Sequence, residues 1–562
     1  MQTNHAILAF VFLALGSDAG AAELTSEVPI EVRSQDARRG EIELALRPAA
    51  IAALAAVDRA ELARFPLSNG EVVELALERL DEQRAVPGIR VDGELALGLL
   101  DGLDLSVWRG KVVGADASEV ALAFSQEGAF GWVLVRGELH HLMSRGSGDV
   151  WMVSERRLIE LGGERSARCA SDELLENVRA PRPLPSLGAS KASAPSLYHC
   201  TVAVETDYQL HQVFANNLQA QTAYVTSLLT WSSYRYEEQI GTVLTYPYVQ
   251  FYTTPNDPWV AVDNGGDCID LLFEFQGAWG GNVPSGGKIA HFLSGVNLDC
   301  GVGFFAGLCG EPWNFSVSGH INGTMSFPVQ VSPANWDFLV FTHEVGHNFN
   351  APHTHEYCPP LDQCATPPNF GPCQTQQVCS TQGTLMSSCH LCPGGLLNVT
   401  TYFHQVSAAD MRSWVETAAC LPLYAPDPLP YCTPKTNTQG CQPRIGWSGH
   451  PTITGLDDFA VTAELVINNK NGLVFYGPSA AAIPFHGGTL CVGAPIKRTA
   501  GQNSGGNPPP NDCSGTFEFH WTSTQLSLFG AGTTVFAQYW YRDPLASNGD
   551  GLTDALSFTV VN

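Results

Sequence analysis

The sequence predicts an α/β domain in the middle of the chain, with a β-rich region before it and an all-β region after it. Three observations lead there. Apolar alternation typical of strands fills both flanks, as in residues 119–124 and 132–135 before the middle and 459–467, 472–476, 516–521 and 535–541 after it. The middle opens with a strand-like run, residues 200–204, followed by a helix-like stretch from 207 to about 236. Residues 336–341 are apolar enough to form a buried helix. A chain of 562 residues is long enough for several domains. Hydrophobic residues at 44% against 15% charged ones supply material for cores and argue against disorder.

Taken in order, residues 6–15 (AILAFVFLAL) form an apolar run of signal-peptide length, with an A-x-A site at Ala19-Gly20-Ala21. Residues 1–21 are therefore expected to be a signal peptide and the protein to be secreted. Nothing else in the sequence is long and apolar enough to span a membrane. Residues 22–180 are the first β-rich region. Residues 181–196 are a Pro/Ala/Ser-rich linker, exposed and easily cut. Residues 197–420 are the middle domain, 421–430 a second Pro-rich linker, and 431–562 a C-terminal β domain with sandwich-like strand spacing. Acidic residues number 55 against 29 basic ones, a net charge of −26. That balance, without a basic cluster, excludes a nucleic-acid binder and gives no attraction to an anionic membrane. The middle domain alone holds 17 acidic and 3 basic residues.

One motif carries the chemistry. His343 and His347 are four apart and project from one face of a helix, where two imidazoles can share a zinc ion. Glu344 lies beside the first ligand and suits a general base for a water activated by the metal. His353 is the expected third ligand. The chain must turn to bring it back, and Asn350 stands where that turn falls, because Asn tolerates the left-handed conformation. Pro352 cannot continue the helix. Three protein ligands leave one position open.

This extended signature, H-E-V-G-H-N-F-N-A-P-H, resembles that of the metzincin zinc peptidases, with Asn350 where that family usually has Gly. Met386, in Gly383-Thr384-Leu385-Met386, resembles the family's methionine turn, an apolar floor beneath the imidazoles. The resemblance narrows to adamalysin/reprolysin-like enzymes and their secreted bacterial relatives, over about residues 198–418. It implies a metzincin catalytic domain, a mixed twisted sheet plus the zinc-site helix. It also implies a strand around residues 301–309 that pairs with an extended polypeptide substrate, with Gly303, Phe304 and Ala306 at the subsites. The activity implied is that of a zinc metalloendopeptidase.

Residues 108–135 resemble the propeptide of such enzymes, so residues 22–180 are expected to confer latency. Cys169, the one cysteine there, could close the open zinc position as a cysteine switch, or pair with an unpaired cysteine of the fifteen downstream. Six cysteines between 358 and 392 are expected to form disulfides, the alternative being a second zinc at Cys389-x-x-Cys392. Asp263, Asp267, Asp270, Glu274 and Glu205 raise structural calcium against a plain acidic face. His355 is read as a surface or supporting residue. The C-terminal domain offers no catalytic constellation and is read as a module for an unknown surface or protein. The competing reading for the whole is a secreted adhesin or binding protein with a catalytically silent zinc site.

Overall fold

Period-two patterning in the first region gives its sheet two buried faces. The computed structural model describes residues 25–36, 40–96, 98–144, 149–162, 168–171, 182–183, 197–298, 300–323, 336–424, 428–453 and 457–561. The expected signal peptide and nearly all of the expected first linker lie outside the described residues. A ten-stranded, almost wholly antiparallel sheet is built from residues between 25 and 154. Along Glu119–Ser125, Leu122 and Phe124 face a core shared with Leu62, Leu75, Trp108 and Val133. The intervening Ala121 and Ala123 face the other way, with Phe130 and Trp132, into a core shared with the middle of the chain.

That second core surrounds the helix Leu218–Ile240. It starts at Asn217, whose side chain accepts from the Ala220 amide at 3.1 Å, and ends at Gly241, with φ of 68°. The single helix expected over 207–236 is in fact two, Tyr208–Val213 and Leu218–Ile240. Ala215 and Asn216, with φ of 55° and 62°, break the path between them. Phe130 meets Tyr224 at 5.1 Å between ring centroids, and Trp132 meets Trp231 at 5.3 Å and Phe338 at 5.1 Å.

The middle sheet has eight strands, in the order Arg168–Cys169, Cys300–Gly303, Phe315–Ser318, Ile289–Leu293, Tyr198–Thr206, Thr242–Phe251, Ile89–Val91 and Glu94–Leu95. Three of them precede residue 197, so the first region supplies strands at both ends of this sheet. From Phe315–Ser318 to Ile89–Val91 the neighbours run parallel, whereas Cys300–Gly303 is antiparallel to Phe315–Ser318. The molecule is therefore mixed α/β. Trp336–Asn348 is a helix buried along its whole length, as its apolar sequence requires.

Seven disulfides form among the described residues. Cys268–Cys300 ties the helix Cys268–Trp279 to the strand Cys300–Gly303, and Cys309–Cys420 closes the middle region. Cys358–Cys373, Cys364–Cys389 and Cys379–Cys392 staple the long loop after His353. Cys389 and Cys392 are both consumed, which overturns the second-zinc alternative. In the last region Phe517, Trp521, Tyr539 and Tyr541 are buried between strands, and Cys432–Cys491 and Cys441–Cys513 tie its first residues to its middle. Among the described residues, no helix is long and apolar enough to cross a membrane.

Candidate metal centre

The helix Trp336–Asn348 presents His343 and His347 one turn apart, with ring centroids 4.8 Å apart. The chain then turns at Asn350, whose φ is 70°, while the Ala351 amide donates to Gly346 O at 3.0 Å. His353 is thereby returned to the first two, its ring 5.2 Å from His343 and 4.8 Å from His347.

The hydrogen bonds decide which nitrogens face inward. His343 Nδ1 donates to Leu385 O at 2.5 Å, and His347 Nδ1 donates to Ala351 O at 2.8 Å. Both Nε2 atoms are then the acceptor nitrogens, turned toward the cluster. His353 has Glu356 Oε2 3.5 Å from its Nδ1. His343 Nε2 and His353 Nε2 are 3.3 Å apart. Two nitrogens on one tetrahedral zinc, each about 2.0–2.1 Å from it, are separated by about that distance.

Cys169 completes the group. Its Sγ lies 3.3 Å from His347 Nε2 and 3.7 Å from Glu344 Oε2. The ligand atoms of Cys169, His343, His347 and His353 all fall within 4.8 Å of one another. One thiol and three imidazoles are a donor set suited to zinc. The residues present therefore fit the ion.

Cys169 arrives on a strand. Arg168–Cys169 runs parallel to Cys300–Gly303, with Cys169 opposite Gly301, and the Ala170 amide donates to Gly301 O at 2.8 Å. The Ser171 hydroxyl accepts from the Gly303 amide at 2.9 Å and stands 3.4 Å from Glu344 Oε2. The chain's own residues thus occupy the edge at which an extended polypeptide was expected. Cys200 is buried in the strand Tyr198–Thr206, and neither it nor Cys169 belongs to any of the seven disulfides, so the alternative pairing of Cys169 is not formed.

Two glycines allow these layers to touch. A Cβ on Gly301 would lie 2.4 Å from Glu344 Oε1, and one on Gly346 would lie 2.8 Å from Met386 Sδ. Met386 is fully buried beneath the helix, and its carbonyl accepts from the Thr354 amide at 3.0 Å. Beside the cluster, Leu339, Val340, Leu385 and Val399 line an apolar pocket that also touches Cys169 and His343.

Other expectations need adjustment. The edge strand ends at Gly303, so of the three subsite residues only Gly303 lies on it. Phe304 is buried against Trp313 at 5.1 Å, and Ala306 sits in a turn with φ of 58°. His355 is buried rather than exposed, stacked on His353 at 5.2 Å. Asp267 and Asp270 form a capping box for the helix Cys268–Trp279, Glu274 accepts from the Val260 and Ala261 amides, and Asp263 accepts from Gln209. Glu205 accepts from the Trp259 indole at 3.1 Å, and burial pushes its carboxyl up to about 8. These acids spend oxygens on protein donors. Sequence reasoning missed Ser171, which lies past the end of the strand Arg168–Cys169, where no local pattern signals its approach to Gly303 and Glu344.

Helix, turn, third histidine and buried methionine together define a metzincin-type, reprolysin-like region. Residues 196–392 match the family model Reprolysin_5, described as metallo-peptidase family M12, which supports a reprolysin-like protease. Among solved structures, one similar chain is metalloproteinase-II from Bacteroides fragilis. It is 12% identical, with a TM-score of 0.29 over 56% of this chain and 86% of that one, too low a score to carry an argument. No curated protein matches the chain.

Proposed function

We propose that the chain is a secreted zinc endopeptidase, made as a latent precursor, with His343, His347 and His353 as its resident ligands and Glu344 as general base. The observation that carries this is the convergence of three imidazoles with a buried glutamate at a strand edge already holding an extended peptide, the chain's own. When bound, zinc supplies Lewis acidity that acidifies water and polarises a carbonyl. The rest is done by side chains. Glu344, held between the edge strand and the metal cluster, takes the proton of the attacking water and returns it to the leaving amine. The edge-strand amides and carbonyls orient the substrate backbone. Leu385 and Ala351 carbonyls hold the imidazoles in the tautomer that ligation needs. Met386 supports them from below.

Latency follows in the same terms. Cys169 acts as the fourth ligand, and Ser171 and Ala170 hold the strap against the edge strand, so that neither water nor peptide can enter. Residues 22–180 are the latency region and 181–196 the segment that is cut. The adhesin reading gives no role to Glu344, which a purely structural zinc site does not need.

The test is cleavage of a complex peptide mixture, read by mass spectrometry, using the full chain opened by Cys169→Ala. Cuts that fall at least about a hundredfold on adding Glu344→Gln, and vanish with a chelator, are expected. Cuts that persist with Glu344→Gln, or no cuts with zinc bound and the fold intact, would overturn the reading.

A further inference from the structure

The strap has a second anchor. Beyond Cys169, Arg182–Pro183 pairs in parallel with Tyr357–Cys358, just past the third histidine. Arg182 inserts there into a socket made wholly by the middle region. Its Nε meets Asp410 Oδ2 at 2.8 Å. Its Nη1 donates to Asn350 O at 3.0 Å and stands 3.3 Å from Asn350 Oδ1. The guanidinium lies 5.6 Å from the centroid of the Phe305 ring. Tyr357 donates its hydroxyl to the same oxygen, Asp410 Oδ2, at 3.0 Å.

Each wall suits a planar cation. A carboxylate and a carbonyl accept from different edges of the fork, and an aromatic ring is in reach. The socket also abuts the groove that would hold a polypeptide, because Asn350 is the turn residue between His347 and His353, and Phe305 follows the end of the edge strand by two residues. Cys169 lies opposite Gly301, Ser171 at Gly303 and Arg182 near Phe305, so the described residues of the strap mark three points beside this edge. When the strap leaves, Asp410, whose side chain is 15% exposed with Arg182 in place, loses its cation. A sheltered carboxylate without a counter-charge is unfavourable. The middle domain has few cations of its own to offer: of its three, Arg235 pairs with Glu119 and Glu238, and Arg412 pairs with Glu416.

We propose that this socket is a substrate subsite for a basic side chain, arginine above lysine, so that the enzyme cuts at a fixed spacing from a basic residue. Arg182 is then the intramolecular stand-in for that residue. The proposal rests on the peptidase reading for its consequence, but the site itself is testable by binding.

The full chain carrying Arg182→Ala and Glu344→Gln is titrated with a synthetic peptide of residues 179–186 and with its twin bearing citrulline, the neutral isostere, in place of Arg182. The arginine peptide is expected to bind at least about tenfold more tightly, and Asp410→Asn to bring the two within about twofold. Equal binding of the twins to the chain with Asp410 intact would overturn the site, whatever the fate of the Asp410 variant. The full chain carrying Cys169→Ala and Arg182→Ala is then given a complex peptide mixture. Enrichment of Arg and Lys at one fixed position, lost with Asp410→Asn, is the expected result. Glu344-dependent cuts without such enrichment would overturn the subsite and leave the peptidase reading standing. Arginine-selective binding with no cuts would uphold the guanidinium site and overturn the peptidase reading instead.

Discussion

The first region touches the rest of the molecule in two unlike ways. Its sheet is docked on the helix Leu218–Ile240 through Phe130, Trp132, Val107 and Ala123, and it adds Ile89–Val91 to the far side of the middle sheet. Its strap touches the metal centre through one thiol, one hydroxyl and a few backbone bonds, with a guanidinium beyond. The dock is broad, apolar and remote from the metal. The strap is narrow, polar and on top of it. Burial of large aromatic surface is costly to undo, whereas a ligand and a few hydrogen bonds can exchange for those of another peptide. Under the proposed latency, the dock stays and the strap leaves.

The largest expected effect follows from that contrast. If the chain is cut within residues 184–196, the two pieces are expected to co-elute in size-exclusion chromatography and to separate only in denaturant. Separation in native buffer would break the comparison. Next, Trp132→Ala is expected to cost about 3–5 kcal/mol in denaturant unfolding, since it empties space between Trp231 and Phe338. Glu119→Ala is a smaller change. Arg235 is nearly fully buried and meets Glu119 at 2.7 Å, but it keeps Glu238 at 2.6 Å and the Tyr402 ring at 3.9 Å. A loss of about 1–3 kcal/mol is expected, read the same way.

The smallest effect lies outside both contacts. Burial raises the Glu205 carboxyl to about 8 in the folded chain. The unfolded chain releases this proton first, so the group's contribution is fully present below about pH 4.5 and is lost as pH rises towards 8. Glu205→Gln should flatten this decline in unfolding free energy between those limits, with the strap anchored or not. An unchanged pH profile would contradict the assignment.

How much of this was legible in the sequence depended on distance along the chain. His343 and His347 declare themselves because helical spacing alone puts them on one face, and Asn350 because its residue type suits a left-handed turn three residues later. The helix 207–236 misread its break because Ala215 has no turn preference, and only the tertiary path forces its positive φ. The expected subsites ran past Gly303 because they rested on a family resemblance over residues 301–309, whereas the strand ends at Gly303 and Phe304 packs against Trp313. Contacts such as Arg182 with Asp410, or Ile89–Val91 with the middle sheet, join residues more than a hundred positions apart, and no local pattern signals them. The disulfide partners were hidden for another reason: six cysteines crowd residues 358–392, and sequence order does not select among their pairings.

The central claim is that the strap, through Cys169, closes a metal site that the three histidines hold without it. The most direct measurement is the optical spectrum of the cobalt-substituted full chain, with and without Cys169→Ala. A thiolate-to-metal charge-transfer band in the parent chain, absent from a variant that still binds one equivalent of metal, is the predicted result. A parent chain with bound cobalt and no such band would contradict the account.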